Sequence, residues 1–218
     1  LKVAFPVDVR AEMAQHEMQF GFVERPTHRS RGYDQQRFEV CNHRYTALCD
    51  NSHGCAVLND SKYGVGVEQN SIELTLLRAA ASPEMGTDQG EQRFRYGFTA
   101  WDGAFADAPV VKHGLAFNEP VAIVPGEAET FSAFRTDAAN VIIDTLKPAE
   151  DGSGDLILRL YEAKKAAVNT KVFTALNVAQ AWTCDMLEKK EAEVAVEDNT
   201  VSLDFRAFEI KTLRLKLA

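Results

Sequence analysis

The chain reads as all-β, an antiparallel sandwich architecture in two abutting units, and three observations predict it. Short apolar segments rich in β-branched and aromatic residues recur along the 218 residues, with Gly, Asn, Asp or Pro between them, the pattern of an all-β sandwich. Residues 156–162 and 210–216 alternate, at least in part, between apolar and long polar side chains, the period of a half-buried strand. Helix-like stretches are few.

Taken in order, strands are predicted at 18–24, 54–58, 65–68, 72–77, 93–99, 141–146, 156–162 and 208–216, with further strand character at 37–40 and 46–50. Gln69-Asn70 separates two of these runs, and because Asn tolerates the left-handed conformation of a tight turn, the pair reads as a hairpin tip. Residues 178–193 contain good helix formers, but Trp182, Thr183 and Cys184 interrupt them, so no core helix is expected there. The Gly/Pro-rich polar stretch 147–155 reads as an exposed loop. The strand spacing divides the chain into a larger antiparallel sheet system over 1–138 and a small sandwich over 139–218.

Composition narrows the function classes. With 24 basic and 32 acidic residues the net charge is −8, which repels phosphate backbones and anionic headgroups. Neither nucleic acid nor a membrane surface is an expected partner. No apolar run approaches the roughly 20 residues that cross a bilayer, and the start Leu1-Lys2-Val3-Ala4-Phe5-Pro6 lacks both an initiator Met and a signal-like pattern. We therefore expect the chain to begin within a longer polypeptide.

Cys41, Cys49 and Cys55 fall close together with His43 and His53 between them. Tetrahedral zinc usually draws its ligands in close pairs such as C-x2-C, and no such pair occurs. Alternating strands would also send these side chains to different faces. No metal site is expected in this chain. Cys184 stands apart, and the four thiols fit a reducing, cytoplasmic-type compartment better than a disulfide framework.

No G-x-S-x-G elbow, H-E-x-x-H helix or phosphate-binding loop occurs, and Gly64-Val65-Gly66 lacks the third glycine of a dinucleotide fingerprint. Three polar clusters beside apolar strands are more informative, because loops carry function. The first is Glu24-Arg25-Pro26-Thr27-His28-Arg29-Ser30-Arg31, which a solvated loop paired with nearby acids also explains. The second is Asn59-Asp60-Ser61-Lys62-Tyr63-Gly64, either a structural turn or a source of donors from Lys62 and Tyr63. The third is Arg78, which closes an apolar strand and carries the rigid donor fork suited to hydroxyls and carboxylates.

The same clusters resemble the C-terminal part of glycoside hydrolase family 38, the α-mannosidases, of bacterial type. The resemblance runs in order through Lys2-Val3-Ala4-Phe5-Pro6-Val7, Gln19-Phe20-Gly21-Phe22-Val23-Glu24-Arg25-Pro26-Thr27-His28, Arg37-Phe38-Glu39-Val40 and His43-Arg44-Tyr45. It continues through Leu58-Asn59-Asp60-Ser61-Lys62-Tyr63-Gly64, Leu76-Leu77-Arg78, Asp88-Gln89-Gly90-Glu91-Gln92-Arg93-Phe94 and Phe208-Glu209-Ile210-Lys211-Thr212-Leu213-Arg214-Leu215. It implies part of a galactose-mutarotase-like β-supersandwich over 1–138, followed by a small C-terminal β-sandwich over 139–218. It further implies a zinc-dependent retaining enzyme that hydrolyses terminal α-mannosyl residues. In such an enzyme zinc ligands, nucleophile and acid/base belong to an N-terminal catalytic domain that this chain lacks. That domain and the α-mannoside are the implied partners, and the isolated chain is expected to be inactive.

Site residues carried over by the resemblance line the rim of the sugar pocket. Arg78 is the foremost; Asp60, Lys62, Tyr63, Arg25 and His28 are candidates for the same interface. A strand edge left open by a cut through the supersandwich would favour homo-oligomers. The competing expectation is a carbohydrate-binding or oligomerisation module without catalysis of its own. Against a sugar platform, Trp101 and Trp182 lie far apart in sequence.

Overall fold

The computed structural model describes residues 1–127 and 129–218. The chain forms two compact units, Leu1–Ile123 and Val124–Ala218, each a pair of antiparallel sheets.

The first unit contains β1 (Lys2–Pro6), β2 (Met13–Met18), β3 (Gly21–Pro26), a short helix α1 (Gly32–Gln36), β4 (Val40–Cys41), β5 (Tyr45–Cys49), β6 (His53–Asn59), β7 (Gly64–Glu68), β8 (Ser71–Thr75), β9 (Tyr96–Asp102) and α2 (Val110–Asn118). One sheet has the order β1-β8-β7-β4, the other β3-β2-β5-β6-β9. Ala14, Leu48, Cys55 and Val57 from the second sheet meet Val65, Ile72 and Leu74 from the first, with Leu76 just beyond β8. Burial of these side chains holds the two sheets face to face, at roughly 25 cal/mol per Å² of apolar surface removed from water.

Four expectations for this unit need correction. Of the run 37–40 only Val40 is in a strand, β4, because the chain is still turning out of α1 before it. The run 18–24 is not one strand. Phe20 takes a left-handed φ of 58° and splits it into the β2–β3 hairpin, Met18 pairing with Gly21. The run 93–99 starts too early, because β9 pairs along the whole of β6, from Asn59↔Tyr96 to His53↔Asp102, and that partner fixes its ends. The β7–β8 hairpin forms as expected, but Gln69, with φ 54°, is its left-handed residue. Asn70 instead donates its side-chain amide to the Val7 carbonyl at 2.7 Å.

Helix α2 has no counterpart in the sequence reading, since Val110, Val111 and Gly114 are weak helix formers. It forms because Val110, Val111 and Gly114 are buried where the helix packs on β5 and β6. A Cβ at position 114 would lie 3.3 Å from the Tyr45 ring and 3.4 Å from Arg44 Cβ. Glycine there permits the close approach.

The second unit contains β10 (Phe134–Thr136), β11 (Val141–Pro148), β12 (Leu156–Glu162), β13 (Val168–Thr174), β14 (Val178–Cys184), β15 (Lys190–Val194), β16 (Thr200–Phe205) and β17 (Ile210–Leu217). A three-stranded sheet β10-β13-β16 faces a five-stranded sheet β11-β12-β17-β14-β15. Leu158, Leu160, Leu213 and Leu215 pack against Val172, Val201, Leu203 and Phe205 between them. Residues 178–193 are a hairpin, turned by Asp185, whose Oδ1 accepts the backbone N–H groups of Leu187 and Lys189, each at 2.9 Å.

The stretch 147–155 is not simply an exposed loop, and Arg214 is the reason. Its strand position suggested a solvent face, yet Arg214 is only 8% exposed. Its Nε donates to Asp155 Oδ2 at 2.7 Å, and its Nη2 donates to Asp151 Oδ2 at 2.6 Å and to Ser153 Oγ at 2.8 Å. The loop folds over β17 to make these bonds, and Asp155 is buried with it.

Candidate functional site

A groove of about 650 Å³ in the first unit is lined by Glu39, Lys62, Tyr63, Arg78, Asp88 and Gln92 among others. Segments from several parts of the unit build it, with Glu39 to Cys41 contributing the floor. The turn between β6 and β7 supplies Lys62 and Tyr63; the chain leaving β8 supplies Arg78.

The turn is set from below by a buried amide. Asn59 is 1% exposed; its Oδ1 accepts the Lys62 backbone N–H at 2.8 Å, while its Nδ2 donates to Asn42 Oδ1 at 3.0 Å and to the His43 carbonyl at 2.7 Å. Asn42 in turn donates its backbone N–H and its side-chain amide to the Tyr63 carbonyl at 2.9 and 3.0 Å. With these donors and acceptors satisfied, the turn has one geometry. Lys62 and Tyr63 project from it. The Lys62 ammonium lies 4.7 Å from the centre of the Phe94 ring, a cation–π contact, and the Tyr63 ring meets His43 edge to face at 5.6 Å.

Arg78 stands at the other wall with its side chain 71% exposed. Its Nη1 donates to Glu39 Oε1 at 3.1 Å. Glu39 lies in the floor, 13% exposed, and its Oε2 accepts from Thr75 Oγ1 at 2.8 Å and faces Lys2 Nζ at 3.4 Å. Burial alone would raise the Glu39 carboxyl. The Thr75 and Lys2 bonds, with the charges of Lys2 and Arg78, outweigh it and hold the group below its ordinary value. Glu39 is therefore a fixed anion at neutral pH. The residue after Arg78 is held too, because Ala79, at φ 54°, donates its N–H to Asp88 Oδ2.

The remaining sequence-predicted residues are placed elsewhere. Asp60 belongs to the same turn but accepts Arg95 Nε at 2.9 Å. Arg25 and His28 line a separate cavity of about 20 Å³ with His16, Asp34 and Arg37, room for about one water. Arg25 donates to the Cys41 carbonyl at 3.1 Å. His16, 1% exposed, is lowered to about 3 by burial and by the nearby Arg25 charge. Two groove residues were missed by sequence reasoning. Glu39 is in the Arg37-Phe38-Glu39-Val40 run and Asp88 heads the Asp88-Gln89-Gly90 run, so both were quoted for the resemblance without a role.

Chemically, the groove offers donors: a guanidinium, an ammonium and a phenol around one ionised carboxylate already engaged by three partners. Such a set can orient hydroxyl groups. The zinc implied by the resemblance finds no cradle here. All four cysteines are free, and among the described residues no three His, Cys, Asp or Glu side chains gather as ligands. These residues do not fit that metal. Among the described residues, no helix is long and apolar enough to cross a membrane.

Two family models match. Residues 1–85 match the glycosyl hydrolases family 38 C-terminal domain and residues 140–213 the glycosyl hydrolases family 38 C-terminal beta sandwich domain. The chain is similar to alpha-mannosidase 2C1 of Homo sapiens, 37% identical over 225 residues, covering 100% of this chain and 22% of that protein. It is 32% identical over 216 residues to alpha-mannosidase G of Dictyostelium discoideum, covering 94% of this chain and 20% of that one. It thus spans about a fifth of the length of these curated relatives. The crystal structure of an alpha-mannosidase from Enterococcus faecalis superimposes with a TM-score of 0.77 at 17% identity, covering 99% of this chain and 25% of that one. At that identity the likeness is one of fold.

Proposed function

Because the chain belongs to glycosyl hydrolase family 38, as its C-terminal β-domain region, we propose that it is the non-catalytic part of a zinc-dependent retaining α-mannosidase. In this reading it packs against an N-terminal catalytic domain of the same polypeptide and supplies rim contacts to the sugar pocket. The observation that carries the reading is the convergence of Arg78, Lys62 and Tyr63 on one open groove. In this reading zinc, nucleophile and acid/base belong to the other domain. The work of this chain is positioning. Arg78 orients a hydroxyl through its fork, and the Asn59 turn holds Lys62 and Tyr63 opposite. The four free thiols favour a cytoplasmic setting.

The carbohydrate-binding module finds less support. Trp101 is buried at 9% exposure, and one face of the half-buried Trp182 ring is already taken by Lys190 Nζ, 3.3 Å from its centre.

Hydrolysis of an aryl α-mannoside, with added zinc, tests the proposal. The purified chain alone should show no turnover, and mixing with the separately expressed catalytic domain should restore it. Turnover by the chain alone would overturn the reading.

A further inference from the structure

Arg78 is exposed, and an exposed arginine ordinarily samples many rotamers, whereas a rim contact must be aimed. The residues beneath it supply the aim. Glu39 is located before Arg78 engages it: Thr75 Oγ1 donates to one oxygen at 2.8 Å and Lys2 approaches the same oxygen at 3.4 Å. Position 64 has room for the carboxylate only because it is glycine, since a Cβ there would lie 2.8 Å from Glu39 Oε1. That leaves Oε1, packed against Gly64, bonded to Arg78 Nη1 at 3.1 Å. On the main-chain side, Leu76 and Leu77 both donate N–H groups to the Leu1 carbonyl, at 2.9 and 3.1 Å, and Asp88 holds Ala79. The backbone on both sides of Arg78 is thus pinned, and its guanidinium is tethered at one nitrogen. Among the described residues the other nitrogens make no ion pair or hydrogen bond.

We propose that Glu39 is the positioning residue for Arg78: anchored by Thr75, Lys2 and the gap at Gly64, it holds one side of the guanidinium so that the other side meets a sugar hydroxyl. The inference rests on the reading of Arg78 as a rim contact and adds the residue that makes the contact directional. Glu39 itself need not touch the substrate.

The test is a double-mutant cycle in the full-length polypeptide, with kcat and KM measured on an aryl α-mannoside and thermal melting as the control for folding. Arg78→Ala should lower kcat/KM at least about tenfold, and Glu39→Gln at least about fivefold, with the melting transition kept. In the Arg78→Ala background, Glu39→Gln should change the rate less than about twofold, because the aimed group is already gone. Glu39→Asp keeps the charge but withdraws it, and should give an intermediate loss that also vanishes without Arg78; it serves if Glu39→Gln does not fold. If Arg78→Ala is as active as wild type, the rim reading fails and this proposal with it. If Arg78→Ala is impaired while both Glu39 variants keep the wild-type rate, the rim reading stands and positioning by Glu39 is overturned. An equal loss from Glu39→Gln with and without Arg78 also overturns it, since Glu39 would then act on the fold alone.

Discussion

The side-chain oxygen of Asn59 accepts the Lys62 backbone N–H at 2.8 Å inside a residue that is 1% exposed. Asn59 Oδ1 therefore fixes where Lys62 enters the groove, and the Asn59 carbonyl is itself bonded by Asn118 Nδ2 at 3.0 Å. Asn59→Ala removes the acceptor for Lys62 and leaves the His43 carbonyl and Asn42 Oδ1 without that donor. A loss of about 2–3 kcal/mol follows for buried groups left unpaired. Urea denaturation of the isolated chain should show it as a lower midpoint with an unchanged slope. A midpoint equal to wild type would mean that water replaces the amide.

His16 makes stability depend on pH. Burial, then the Arg25 charge, lowers it to about 3, whereas an unfolded histidine titrates near 6.5. Below about 6.5 the unfolded chain binds a proton that the folded chain refuses, so stability is full above that value and declines as pH falls toward 3. The slope from this one group is at most about 1.4 kcal/mol per pH unit. Denaturation midpoints between pH 7 and 4 should fall for the wild type and fall less steeply for His16→Gln. Parallel curves would assign the slope to other groups.

In the second unit, Glu162 is 0% exposed and its carboxylate gathers four donors. Asn140 Nδ2 and the Lys164 N–H reach Oε1 at 3.0 and 2.7 Å; the Ala166 and Phe208 N–H groups reach Oε2 at 3.1 and 3.0 Å. Glu162→Gln turns one end of this acceptor into a donor facing donors, and about 2–4 kcal/mol should be lost. Calorimetry should show a lower transition for the unit that holds Glu162. An unchanged thermogram would remove the carboxylate from the account of this fold.

How much of this was legible follows from what each element depends on. Strand β12 was read at its observed limits because its apolar residues repeat, at least in part, with the strand period. The β7–β8 hairpin was read from Gln69-Asn70, although geometry assigned the left-handed φ to the other residue. Helix α2 was missed because its stability lies in tertiary packing on β5 and β6, which weak propensity does not reveal. Arg214 was misjudged because alternation gives a face but not what later covers it. At the groove, Lys62, Tyr63 and Arg78 stood out as polar residues beside apolar runs. Glu39 did not, since a glutamate before a strand looks like any other until Thr75, Lys2 and Arg78 are seen around it.

Gly64→Ala tests the close packing on which the groove floor depends. Gly64 has no left-handed φ, so the strand conformation accepts alanine without backbone strain and the only new feature is the Cβ. That atom would lie 2.8 Å from Glu39 Oε1 and 3.4 Å from Thr75 Cβ. The carboxylate is the softer neighbour, so it should move, lengthening its bond to Arg78 while β7 keeps its pairing with β8. Alanine also restricts the unfolded chain, which offsets part of the repulsion. The net stability change should therefore be small, within about 1 kcal/mol. Activity of the full-length polypeptide on an aryl α-mannoside should nonetheless fall several-fold, because small misplacement of an orienting group weighs heavily on rate. A variant that keeps both its midpoint and its rate would show that the carboxylate can shift without consequence for the site.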